Sequence, residues 1–342
     1  MKKLTLAAIL FAAFGGLAHA AESSVVIYGA IDDSLAKVTD KTLAMTKRDS
    51  NKLGFKGTED LGDGLKALFQ LEMRFEPDTG TVESSTRPLF QGQTRVGLQG
   101  SFGMIRVGRG VTALQDAKDA FDPFNGISGT PGFKSDVEVA GYTSQPLDAA
   151  GSSNDRFNNA VWYNSPVVSG MQLNLTVGSK EANGGPAVVG RGTAAAPQYA
   201  AGAEASANPF SVAATFKQDA IAAMVGYERN TVETKLWHAG VSVMAMPELK
   251  LMATYARQDQ DHSKATNAQT KGWLVGANYT VGGGRFLIGY GQKKPDGVVA
   301  TKETSVGYEY NLSKRTFLYA DASSKKAATT VSYYGIGIHH NF

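Results

Sequence analysis

Residues 65–75 read L-K-A-L-F-Q-L-E-M-R-F. Counted by twos, Leu65, Ala67, Phe69, Leu71, Met73 and Phe75 share one side, and Lys66, Leu68, Gln70, Glu72 and Arg74 share the other. Successive side chains of a β-strand point to opposite faces, so the stretch reads as a strand with one apolar face. L-G-D-G (61–64) precedes it and is a turn signal. The pattern recurs along the chain. Met171, Leu173, Leu175 and Val177 alternate with Gln172, Asn174, Thr176 and Gly178. Val306, Tyr308, Tyr310 and Leu312 alternate with Ser305, Gly307, Glu309 and Asn311. The last twelve residues, V-S-Y-Y-G-I-G-I-H-H-N-F, carry Tyr334, Ile336, Ile338, His340 and Phe342 on one side, up to the final residue. Chain ends are ordinarily frayed and polar, so this one reads as a strand that must be tied down.

Sixteen strands are expected, at about 24–36, 47–60, 65–76, 90–100, 103–110, 160–165, 171–179, 210–217, 220–229, 233–245, 249–258, 270–281, 284–293, 302–311, 315–323 and 331–342. Convincing helical periodicity is scarce. Short connections (61–64, 101–102, 166–170, 218–219, 246–248, 282–283, 312–314) alternate with mostly longer ones (37–46, 77–89, 111–159, 180–209, 230–232, 259–269, 294–301, 324–330). This describes an up-and-down meander with an even strand number and both termini on the short-turn side. Strand patterning alone fits a β-sandwich or solenoid as well as a barrel.

The amino terminus weighs on that choice. Lys2 and Lys3 precede an apolar run, and Ala18-His19-Ala20 follows with the small-x-small cleavage pattern. Residues 1–20 are therefore expected to be a cleaved signal peptide, and 21–342 a single exported domain with 32 basic and 31 acidic residues. No later apolar run reaches the length of a membrane-spanning helix. A closed barrel is the other structure that satisfies every backbone group in lipid. Export, even strand count and asymmetric loops favour an all-β, 16-stranded antiparallel transmembrane barrel. Trp237, Tyr255, Trp273, Tyr279, Tyr290, Tyr310, Tyr319 and Tyr334 lie near the ends of the apolar faces, where interfacial girdles would fall.

The chain has no cysteine, which removes thiolate metal sites and a Cys nucleophile. There is no basic block to suggest nucleic acid. G-x-S-x-G, G-x-G-x-x-G, a P-loop and H-E-x-x-H are all absent. His339 and His340 are adjacent and would point to opposite faces, so they cannot share a metal. His238 and His339 have lumen parity, so counting alone does not exclude a Ser-His pair. No enzyme activity, cofactor or metal is expected. An adhesive barrel with a plugged lumen is a second rival, suggested by the Ala- and Gly-rich connections. Sixteen strands, however, enclose an aqueous channel.

Several stretches resemble one family: K-L-G-F-K-G-T-E-D-L-G-D-G-L-K-A-L-F-Q-L-E (52–72), R-V-G-L-Q-G-S-F-G (95–103), V-G-R (107–109), D-P-F (122–124), W-Y-N-S-P (162–166), N-L-S-K-R-T (311–316) and the terminal H-H-N-F. The chain is similar to the Gram-negative general-diffusion porins of beta-proteobacteria over essentially its whole mature length. The resemblance implies a homotrimer in the bacterial outer membrane, surrounded by lipid and lipopolysaccharide. It also implies passage of small hydrophilic solutes and ions, a third loop folded into the pore, and a terminal Phe342 read by the outer-membrane assembly machinery. Lys52 and Gly92 stand where the family usually has Arg, Arg95 where it has a non-basic residue, and His339 where Arg is common, so relatives' ion preference does not carry over.

The longest connection, about 111–159, is the candidate constriction loop. It carries Asp116, Asp119 and Asp122, then Asp136 and Glu138. On the preceding strands Lys52, Lys56, Arg74, Arg95 and Arg106 alternate with apolar residues so as to face a lumen. Arg109 has the opposite parity, but lies where the strand gives way to the loop. A basic wall opposite an acidic loop sets a transverse field that sorts solutes by size, dipole and charge. The expectation is mild anion preference or near-indifference.

Overall fold

The computed structural model describes residues 23–85, 87–147, 153–180, 207–259 and 269–342. The expected signal segment, and parts of the connections expected at 111–159, 180–209 and 259–269, lie outside the described residues. The barrel strands are β1 (Ser24–Val38), β2 (Lys52–Gly62), β3 (Leu65–Glu76), β4 (Gln93–Gly100), β5 (Gly103–Val111), β6 (Arg156–Asn164), β7 (Met171–Gly178) and β8 (Phe210–Gln218). They continue as β9 (Ile221–Arg229), β10 (Lys235–Met246), β11 (Leu249–Asp259), β12 (Gln269–Val281), β13 (Gly284–Pro295), β14 (Thr301–Asn311), β15 (Thr316–Lys326) and β16 (Thr330–Asn341).

Each strand pairs antiparallel with the next. β1 closes the ring with its two halves: Ser24–Ala30 lie against Thr58–Lys52 of β2, and Ala30–Val38 against Asn341–Tyr333 of β16. Two short strands, Ala44–Thr46 and Thr81–Val82, pair back on β1 and β3 from the connections that follow them. The result is a closed, 16-stranded, all-β barrel.

Closure gives each strand an inside and an outside. Tyr334, Ile336, Ile338 and His340 are exposed on the outer face of β16, while Tyr333, Gly335 and His339 are buried toward the interior. The L-G-D-G turn holds Gly62, Asp63 and Gly64 in left-handed backbone, with φ of 90°, 50° and 76°, a conformation in which a residue other than glycine is strained. Most of the aromatics expected in the girdles are exposed on the outside, Trp237 at 53% and Tyr334 at 61%. Tyr319 is a correction. Its neighbour Leu318 takes the outer face, so Tyr319 points inward and donates from its hydroxyl to Asp32 at 2.9 Å.

The expected constriction loop narrows to 112–155, because β5 and β6 extend to Val111 and Arg156. It opens with a short helix that the alternation does not announce, α1 (Ala113–Lys118), running into a 3-10 turn at Asp119–Phe121. The loop folds into the barrel and packs on one side of it. Leu114, Val139, Ala140 and Tyr142 cluster with Leu236 and Ala256 of β10 and β11. Phe124, Ile127, Phe133 and Val137 cluster with Leu274 and Leu287 of β12 and β13. Phe121 packs with Ala213 and Met224 of β8 and β9. Glycines on the inward face make the close approach possible: a β-carbon at Gly240 would meet the Phe121 ring, and one at Gly289 the Phe133 ring. Hydrophobic burial against β8–β13 thus fixes where the loop lies.

Candidate pore constriction

With the loop seated on β8–β13, its other side faces the strands that carry the arginines. The ladder sets Lys52 of β2 opposite Arg74 of β3. Between them and the loop is a cavity of about 280 Å³. Its cationic lining is Lys52, Arg74, Arg87, Arg109, Lys134 and Arg156; its anionic lining is Asp49, Glu83, Asp119 and Asp155. Six cationic and four anionic side chains therefore line it, with Lys134 on the loop and Asp49 and Glu83 on the wall-side connections. Arg109 reaches this cavity although its ladder partner is the outward Thr94. The pairing of β5 with β6 is irregular between Gly108 and Gly110, and the Arg109 guanidinium turns in to donate to the Gln91 carbonyl at 2.9 Å and to Asn158.

The remaining wall residues lie nearer the short turns. Lys56 is opposite Gln70, and Gln70 opposite Arg95; the Arg95 guanidinium donates to Gln70 Oε1 at 2.7 Å and lies 5.6 Å from the centre of the Trp162 ring. Arg106 donates to Asn164 Oδ1 at 2.7 Å. Between the two basic tiers is Glu72, which accepts from Tyr28 and from Arg74 and is buried. The wall is therefore two tiers of positive charge separated by one used carboxylate.

The loop acids divide by role. Asp119 lines the cavity and accepts from Lys118 at 3.0 Å and Lys134 at 2.8 Å. Asp116 is exposed on α1 and shares a smaller hollow with Arg106. Asp122 does not line the passage. It is fully buried, and its carboxylate accepts from the backbone amides of Phe124 at 2.9 Å and Gly126 at 3.1 Å, closing the loop's own turn. Burial pushes its carboxyl up to about 6. Glu138 is also buried, against Lys118 at 2.7 Å. Burial alone would lower the Lys118 pKa, but the carboxylates of Asp119 and Glu138 raise it, so the ammonium stays charged inside the loop. Asp136 pairs with Lys293 of β13, on the wall against which the loop packs, and with Lys325 of β15. The loop is less acidic toward the passage than its sequence suggests, because Lys118 and Lys134 consume much of its charge.

Arg87, Lys134 and Arg156 were not among the expected pore residues. They belong to connections or to the first residue of a strand, where parity carries no information. Arg48 was missed for another reason: the strand expected from residue 47 begins only at Lys52, and 47–51 belong to a connection. The connection after β1 folds inward and buries Arg48 against Glu309 at 2.6 Å and Asp321 at 3.3 Å, with its guanidinium 4.1 Å from the centre of the Tyr319 ring. Gly129 of the constriction loop donates its amide to the Arg48 carbonyl, so the two inserted segments brace each other.

A profile of the Gram-negative porin family matches residues 5–330. The chain belongs to that family. Like other porins it is an outer-membrane β-barrel protein, and porins are channels rather than enzymes. This porin is 29% identical to an outer membrane porin protein of Bordetella pertussis, over the full length of both chains. It is also 29% identical to outer membrane porin protein 32 of Delftia acidovorans, covering 99% of this chain and 94% of that one. Among solved structures it is similar in fold to an anion-selective porin from Comamonas acidovorans, with TM-score 0.76, 22% identity, and 94% and 100% of the two chains covered. The trimer form of the Vibrio cholerae outer membrane protein OmpT has the same fold, with TM-score 0.67, 14% identity, and 94% and 99% covered.

Proposed function

We propose that this porin is a general-diffusion channel with a preference for small anions. The observation that carries the reading is the cavity between the loop and β1–β6, lined by six cationic and four anionic side chains. Fixed charge at a narrow aqueous passage raises the local concentration of the opposite ion and repels the like one. Asp116 and Asp119 lie on the loop side, and Lys52, Lys56, Arg74, Arg95, Arg106 and Arg109 line the wall, so a permeating solute meets a transverse field. The Comamonas acidovorans porin with a similar fold is described as anion-selective, but at 22% identity that likeness extends to the fold alone, so the reading rests on this chain's own charges. We also propose a homotrimer in lipid and lipopolysaccharide, contacting its neighbours through part of the apolar outer face, as the OmpT trimer form suggests.

The test is the zero-current potential of the purified protein in a planar bilayer under a potassium chloride gradient. The expected potential has the sign of chloride preference, and Arg95→Glu moves it toward potassium. A strong potassium preference in the unmodified protein, or a bilayer that stays sealed under voltage, would overturn the proposal.

A further inference from the structure

Toward the short turns the lumen wall changes character. The ladders of β1–β5 place Val26, Lys56, Gln70 and Arg95 in one row, and Thr58, Leu68, Gly97 and Arg106 in the next. Val26 and Leu68 point inward, against the polar trend of that face, and Val26 is 46% exposed. Gly97 supplies no side chain between Leu68 and Arg106. A hollow of about 360 Å³ results, with Val26, Leu68 and Met104 as its apolar floor and Lys56, Arg95 and Arg106 at its edge. The three cations have neutral direct partners: Arg95 donates to Gln70, Arg106 to Asn164, and Lys56 lies 5.0 Å from the centre of the Tyr28 ring. Asp116 of the loop shares a smaller hollow with Arg106 but, among the described residues, forms no ion pair or hydrogen bond with Arg95 or Arg106.

Apolar surface held open to water beside three cations that form no ion pair among the described residues is suited to one class of solute. A chloride or acetate ion would use the charge and leave the floor wet. An uncharged apolar solute would leave the cations unused. We infer that the hollow binds amphipathic monocarboxylates, aromatic or branched, with the carboxylate toward Lys56, Arg95 and Arg106 and the body over Val26, Leu68 and Met104. The volume accommodates a single-ring acid. The inference rests on the anion-preferring reading above and narrows it to a solute class. Affinity must stay weak, since a solute that passes must also leave.

The experiment records current through the intact protein in planar bilayers with potassium benzoate or potassium acetate as the only salt. Benzoate current should saturate at millimolar concentrations, whereas acetate current should rise in proportion to concentration. Leu68→Ser should weaken the half-saturating concentration about tenfold, as loss of apolar contact does, and leave the chloride gradient potential unchanged. Met104→Gln, close in size, provides the same test if Leu68→Ser assembles poorly. Benzoate current that stays proportional in the unmodified protein, or saturation that survives both substitutions, would overturn the inference. The chloride gradient potential is read separately, so failure of the anion preference is distinguished from failure of this site.

Discussion

Asp136 shows how much one residue of the constriction loop can hold. It is the loop residue that spans to β13 and β15, through Lys293 and Lys325. Burial would raise its pKa, but those two ammonium groups pull it below the ordinary carboxylate value. A depressed native pKa gives stability that is present above the unfolded value, about 4, and is lost as pH falls through the native one. Loop docking through Asp136 should therefore be constant from neutral pH down to mild acid and weaken only below about pH 4. Single-channel records should show steady current at pH 7 and 5 and added noise at the acid end. Asp136→Asn should show that noise already at neutral pH. At this scale the sequence was legible where parity applies. Lys52, Lys56, Arg74, Arg95 and Arg106 all face inward as their alternation demands. It was not legible for Arg87 and Lys134, whose positions depend on how irregular segments fold back, nor for Arg48, which lies in residues expected as strand that fold as a connection. Nor did it separate Asp119, which lines the passage, from Asp122, three residues on, which closes a turn.

Elements behaved differently. Strands were legible because alternation, turn residues and antiparallel order are all local, and β3 coincides with the stretch that starts at Leu65. The inward glycines were not legible as seats for the loop; Gly240 reads in sequence as an ordinary small strand residue. The structure gives it a task, since any side chain there meets Phe121. Gly240→Val should displace the 3-10 turn and change the single-channel conductance while leaving the barrel closed, so heat-modifiable mobility on a denaturing gel should persist. The segment after β1 offers a second test. Removing Arg48 leaves Glu309 and Asp321 buried without their partner, although Arg285 still bonds Glu309 at 2.6 Å. Breaking a buried ion pair costs about 3 kcal/mol or more. Arg48→Met should lower the thermal unfolding temperature of the folded barrel, and an unchanged temperature would mean that the inserted segment contributes little to stability.

For the whole molecule, closure and partition are the two consequences that matter. Closure depends on the seam between β1 and β16. Phe342 and Gly29 exchange two backbone hydrogen bonds of 3.1 Å, so the last residue completes the ring. Unpaired backbone groups in lipid are costly. Deleting Phe342 should reduce the yield of assembled barrel in cells before it changes conductance, and a normal yield would contradict this. The lumen is partitioned: the constriction loop covers β8–β13 and leaves the water passage against β1–β6. The absence of cysteine from the chain allows a direct test by single cysteine substitution. The measurement is the open-channel current before and after an anionic, thiol-specific reagent, for Arg74→Cys and for Met252→Cys. Current through Arg74→Cys should fall while current through Met252→Cys is unaffected. Block at Met252→Cys with Arg74→Cys untouched would place the passage on the other side of the loop and contradict this partition.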